Sequence, residues 1–339
     1  MRRHELAAFV IALSAVSAGG CQAGSLAGAP AGNSLNANVV APLRAHAAPN
    51  LGTGYLYVVS PGSNQITMYP KAGNGDIAPS GNLSGSNTQL ILPVGVCVSK
   101  TGKIYVTDFG NNAVTVYAAG STGNKAPIQD IVGDKTGLSQ PSGISVDSSG
   151  DIYVVENATP SISVFAPGAT GNVAPLRTIS GPNPKLLHPI GMVINQAGEI
   201  VVADRGYNSI EVFAKGATGN ATPIQTIVGA MTGIKIPEEV AVDAGDHIYV
   251  TNFSGSTVEE FAAAADGNVK PLREISGTNT HLDGPTGMKV DGAGTIYVAN
   301  NKNSTVTSYA PGADGNAAPA TTIGGSMTLL SGITDLALH

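Results

Sequence analysis

The chain has 339 residues and a formal charge of −6, and 17 Lys plus Arg against 23 Asp plus Glu, with no basic cluster, argues against a nucleic-acid partner. Charged residues are 12% of the chain, about half the ~25% usual in soluble domains. Two cysteines are too few for a disulfide framework or a structural zinc site, and 44 Gly with 21 Pro stay below the share that marks aperiodic disorder.

The first elements read as an address. Met1-Arg2-Arg3-His4 is a short basic start, and the apolar run Leu6 to Ser17 is shorter than the ~20 residues that span a bilayer, so residues 1–20 read as an export signal. Ala18-Gly19-Gly20-Cys21 closes the run and resembles the bacterial lipobox, whose cysteine is lipidated and becomes the mature N-terminus. The lipobox pattern prefers Leu or Val where Ala18 stands, and ordinary secretion with an incidental Cys21 is the alternative. Gln22 after the cysteine resembles lipoproteins sorted to the outer membrane. The resemblance implies an exported cell-envelope lipoprotein, at the outer membrane or cell surface, whose membrane partner is reached through the lipid. Residues 21–50 carry one charged side chain and no hydrophobic period, so they read as a flexible tether from that cysteine.

From residue 51 onward one motif recurs. Leu56, Ile104, Ile152, Ile200, Ile248 and Ile296 each open an apolar triplet, 48 residues apart. The aromatic residues Tyr69, Tyr117, Phe165, Phe213, Phe261 and Tyr309 keep the same period, as do the prolines from Pro79 to Pro319. Six copies of 48 residues fill 52–339. Within the third copy the predicted strands are Gly143 to Asp147, Ile152 to Val155, Ser161 to Phe165 and Pro175 to Ile179. Period-two alternation with β-branched and aromatic residues, punctuated by Gly and Asn, is the signature of strands and hairpins. Four strands per copy and six copies predict an all-β fold, a six-bladed β-propeller over 51–339. The first copy lacks its first strand, and Asp335 to His339 supplies it in phase with Gly287 to Asp291. The C-terminal strand therefore closes the ring in the first blade and removes an exposed edge. The units Pro141 to Val154 and Val201 to Phe213 resemble NHL repeats. That resemblance implies the propeller fold, and for function it leaves binding scaffolds, lactonases and lyases all open.

Candidate chemistry sits where the loops open on one face. Ser60, Asp108, Glu156, Asp204, Asn252 and Asn300 end the second strands, and they read either as oxygen ligands for Ca²⁺ or another divalent cation, or as turn caps. Symmetry breaks elsewhere. Glu239 and Asp335 replace glycine in the column Gly95, Gly143, Gly191, Gly287, and Lys289 replaces a small residue in the column Cys97, Ser145, Val193, Ala241, Ala337. Glu239, Lys289 and Asp335 are expected together on three adjacent blades near the channel, as a ligand site or a structural ion cluster. The metal-binding positions of lactonase-like propellers imply Glu239, Asn252 and Asp204 as a candidate metal set. The Gly-Asn hairpins from Gly123-Asn124 to Gly315-Asn316, with Gly75-Asp76 in the first copy, resemble type I′ turns on the opposite face. Binding to an unknown protein, peptide or carbohydrate, by a monomer without catalysis, is the first functional reading. A metal-dependent lactonase or lyase at the channel mouth is the second.

Overall fold

The computed structural model describes residues 54–339, so the signal, the tether and Cys21 lie outside the described residues. Strand β1 (Tyr55–Ser60), β2 (Gln65–Pro70) and β3 (Gly81–Leu83) form the first blade together with the last strand of the chain, β24 (Leu336–Leu338). Its order is β24-β1-β2-β3, and five further four-stranded antiparallel sheets follow in sequence. The ring is thus closed as the repeat phase predicts: Tyr57 lies opposite Ala337, and Tyr55 N and His339 O are 2.8 Å apart.

The blades pack face to face, and this explains why the middle strands look apolar on both sides. β5 (Ile104–Asp108) and β9 (Ile152–Glu156) are buried at every residue. Each hydrophobic layer draws on two neighbouring blades; one joins Tyr57, Val59, Ile66 and Met68 to Val96, Ile104, Val106 and Tyr117. A blade alone would leave both faces wet, so the repeats stabilise one another. The inner strands β4 (Pro93–Val98), β8 (Pro141–Val146), β12 (Pro189–Ile194), β16 (Pro237–Val242), β20 (Pro285–Val290) and β24 ring the axis. Glycine is needed there because the strands nearly touch: a Cβ on Gly143 would stand 2.5 Å from Ile190 O.

The predicted third-copy strands are present, with the fourth shortened to β11 (Arg177–Ile179). The Gly-Asn hairpins differ from the expected type I′ turn. Among the paired residues only the glycine takes positive φ, as at Gly123 (69°). The asparagine instead reaches across: Asn124 Oδ1 accepts Asn87 N at 2.6 Å, and Gly123 pairs with Leu83 of the previous blade. Six such bridges, including Gly75 with Ile323, make an outer closure that covers the edge strands. Among the described residues no helix is long and apolar enough to cross a membrane.

Candidate functional site

The channel cluster assembles as the broken columns predict. Lys289 Nζ, from β20, lies 3.5 Å from Glu239 Oε1 of β16 and 3.7 Å from Asp335 Oδ1, just before β24. Both carboxylates are buried, and the Lys289 side chain keeps 23% exposure. Glycine makes room for them: a Cβ on Gly191 would meet the Glu239 Cα at 2.6 Å, and one on Gly287 the Asp335 Cα at 2.5 Å. Asp335 Oδ2 accepts Val96 N at 2.8 Å, and Asp335 Oδ1 accepts Leu336 N at 2.7 Å.

Two carboxylates share one ammonium there. Burial, with Asp335 adding repulsion, lifts Glu239 to about 8 against the attraction of Lys289. Burial also raises Asp335. For Lys289, burial works against the charge, but the two carboxylates more than offset it and hold its pKa above the usual value. The ammonium of Lys289 is thus the charge the site holds most firmly, while burial and mutual repulsion work against ionising both carboxyls at once. Burial pushes the thiol of Cys97, on β4, up to about 11, so it stays protonated.

Asp204 and Asn252 are engaged elsewhere. Asp204 accepts Leu187 N at 2.6 Å and Tyr207 N at 3.0 Å. Asn252 accepts Lys235 N at 2.9 Å and donates to Thr257 and Glu259. The rest of that ring behaves alike. Asp108 accepts Ile91 N at 2.9 Å, Glu156 accepts Ser139 N at 2.7 Å, Asn300 accepts Asp283 N at 3.1 Å, and Ser60 Oγ accepts Ser331 N at 3.4 Å. Each cap holds the loop that leads into its own blade, which is why the position recurs. Every residue of the ring already commits an oxygen to a backbone N–H group, and Glu156 Oε1 is its one carboxyl oxygen without a partner. Among the described residues no three His, Cys, Asp or Glu side chains converge to hold a metal ion. The residues present do not fit a Ca²⁺ ring.

Three features escape the repeat reading. Arg205 pairs with buried Glu238 at the start of β16, bridging two blades, and Glu238 stands out in its column beside Ser142 and Thr286. Glu156 and Glu211, on adjacent blades, are buried with one carboxyl oxygen each unpartnered, and burial lifts both to about 8. The third is concave. A groove of about 480 Å³ runs between the first two blades, lined by Ser63, Asn64, Ser86, Gln89, Ile91 and Asn111. Asn64 Oδ1 accepts Leu92 N at 2.8 Å, which leaves its amide hydrogens available. Ile91 is 49% exposed at the same place. Amides and hydroxyls beside an apolar patch suit a ligand with its own amides or hydroxyls.

The geometry defines a six-bladed β-propeller of four-stranded blades. The NHL repeat model matches residues 90–117, which span β4, β5 and β6 (Ala113–Tyr117) of the second blade. Among curated proteins no sequence matches significantly. Similar solved structures include a Bacteroides caccae protein of unknown function, 11% identical with a TM-score of 0.61, covering 84% of this chain and 98% of that one. The nidogen/laminin complex contributes a match at 15% identity and TM-score 0.60, over 84% and 98% of the two chains. A virginiamycin B lyase from Staphylococcus aureus is 16% identical with a TM-score of 0.48, over 64% of this chain and 66% of that one. At these identities the likeness concerns the fold alone.

Proposed function

We propose that this protein is a lipid-anchored, extracytoplasmic propeller acting as a non-catalytic binding or scaffold module, whose ligand is a protein, peptide or carbohydrate. The observation that carries the reading is the polar groove between the first two blades, where amide and hydroxyl groups surround exposed Ile91. The channel triad supports it from the other side: Lys289 is taken up by its two carboxyl neighbours, as in a structural ion cluster. In this reading Cys21 carries the lipid and residues 22–50 are the tether. The lactonase or lyase alternative would place its chemistry at Glu239, Lys289 and Asp335.

The test is a peptide and glycan array probed with the purified chain, alongside Asn64→Ala/Gln89→Ala and Glu239→Gln/Asp335→Asn. The binding reading expects capture of one ligand class, lost in the groove variant and kept in the channel variant. Lactone or ester hydrolysis that disappears in Glu239→Gln/Asp335→Asn would replace it with the enzyme.

A further inference from the structure

The repeat supplies its own reference in what fills the space beside the first, fourth and fifth blades. In the first blade Asn82 Nδ2 donates to Gln65 Oε1 at 3.2 Å, and Gln65 Nε2 donates to Leu329 O at 2.7 Å. The Gln65 carboxamide thus plugs the gap between the outer strand and the incoming loop. In the fifth blade Glu259 fills the same gap, close enough that a Cβ on Gly233 would meet its Oε1 at 2.8 Å. In the fourth, Glu211 occupies it with Ser209 Oγ donating at 2.6 Å.

The second blade has lost its plug. Moving 48 residues on from Gln65, Asn82 and Thr67 gives Ala113, Asp130 and Thr115. The incoming loop there carries Gln89 in place of Leu329. A hollow of about 300 Å³ remains, lined by Gln89, Asn111, Ala113, Thr115, Asp130 and Val132, and it shares Gln89 and Asn111 with the 480 Å³ groove. Thr115 is 1% exposed and its Oγ1 has no hydrogen-bond partner. Asp130 bonds through its backbone to Thr170 and Gly171, while its carboxylate, among the described residues, is held by neither a hydrogen bond nor a cation.

The polarity of the gap has also changed. Where the first blade offers an amide donor, Asn82, the second offers a carboxylate. The Gln89 carbonyl, which Asn111 Nδ2 engages at 2.8 Å, keeps a second lone pair. The open groups are therefore mainly acceptors, on a chain of net charge −6. Ala113 and Val132 offer apolar wall to an aliphatic stem. Partial burial holds the Asp130 carboxyl above its usual value.

We propose that this crevice on the second blade is a recognition pocket for a basic side chain, the ammonium of a lysine or the guanidinium of an arginine in a peptide partner. Asp130 receives the charge, Gln89 accepts a further N–H group, and the adjoining groove takes the peptide main chain along Asn64 and Ser86. The proposal rests on the binding-module reading and names its ligand.

The test is a methyl NMR titration of the purified chain, carrying Cys21→Ser, with acetyl-Gly-Lys-Gly amide and its Arg, Nε-acetyl-Lys and Glu counterparts. The Lys and Arg peptides should shift the Ala113 and Thr115 methyl resonances, and the acetyl-Lys and Glu peptides should not. Asp130→Asn should weaken Lys-peptide binding by about tenfold or more, the scale of a lost charge-assisted hydrogen bond. Ala113→Gln/Asp130→Asn rebuilds the first blade's plug, and should abolish binding while melting no lower than the parent. Unmoved methyls, equal binding of acetyl-Lys, or an unchanged affinity in Asp130→Asn would overturn the pocket. Capture of some other ligand through Asn64 and Gln89 on the arrays, with the Lys peptide inert, would sink this inference and leave the module reading standing.

Discussion

Replacing Glu156 by Gln should make the protein more stable above neutral pH and leave it nearly unchanged near pH 5. Glu156 is fully buried; Oε2 accepts Ser139 N at 2.7 Å and Oε1 has no partner. Burial lifts its pKa from 4.5 to about 8. A carboxyl whose folded pKa is raised contributes stability that is fully present below the unfolded value. That contribution is lost as pH rises through the folded value. The full shift is at most ~5 kcal/mol, and with relaxation around the charge we expect roughly 2–4 kcal/mol lost between pH 4.5 and 8. Glu211 and Glu239 rise to about 8, Glu259 to about 7 and Asp108 to about 6, so all five push the same way. Asp243 and Asp291 are lowered, because burial is outweighed by His247 or Lys71 acting together with backbone N–H donors, and they act only at the acid end. Thermal melting by circular dichroism from pH 5 to 8.5 should therefore show the parent losing stability toward alkaline pH. Glu156→Gln should raise Tm by several degrees at pH 8 and flatten that slope. A parent that melts higher at pH 8 than at pH 5, with Glu156→Gln neutral at both, would refute the reasoning.

Deleting residues 333–339 removes β24 together with the fully buried Ile333 that precedes it, and should sharply lower Tm by opening the ring; an unchanged melting curve would contradict closure. Gly143→Ala should cost about 1–3 kcal/mol in denaturant melts, since its Cβ would stand 2.5 Å from Ile190 O. Lys289→Met strands two buried carboxylates and should destabilise by about 3–5 kcal/mol at pH 8, while Lys289→Met/Glu239→Gln/Asp335→Asn should recover most of that loss. A mass spectrum of the mature N-terminus should show a lipidated Cys21, and an unmodified peptide beginning elsewhere would remove the anchor from the proposal.

The ring was legible because the repeat is nearly exact in phase. Leu56 and Ile296 sit at the same step of the 48-residue period, and the missing first strand reappears at Asp335 to His339. The triad was legible for the converse reason, since Glu239, Lys289 and Asp335 break columns that are otherwise small. Periodicity shows what a residue type is, not which neighbour it meets. Asn124 looked like half of a tight turn, yet its carboxamide bonds Asn87 of the blade before. Glu156 looked like any other cap, and only its burial reveals a carboxyl held protonated. The open crevice was visible in principle as the step from Gln65 to Ala113, but a lost side chain signals a site only once its counterpart is seen plugging the gap.

On the proposed function, the propeller binds a ligand in the groove of its first two blades and leaves it chemically unchanged. Incubating the purified chain with the ligand class captured on the arrays, then measuring both retention and ligand mass, tests it directly. The ligand should be retained with unaltered mass, and its retention should be lost in Asn64→Ala/Gln89→Ala. A cleaved or eliminated product, or retention indifferent to those two residues, would contradict it.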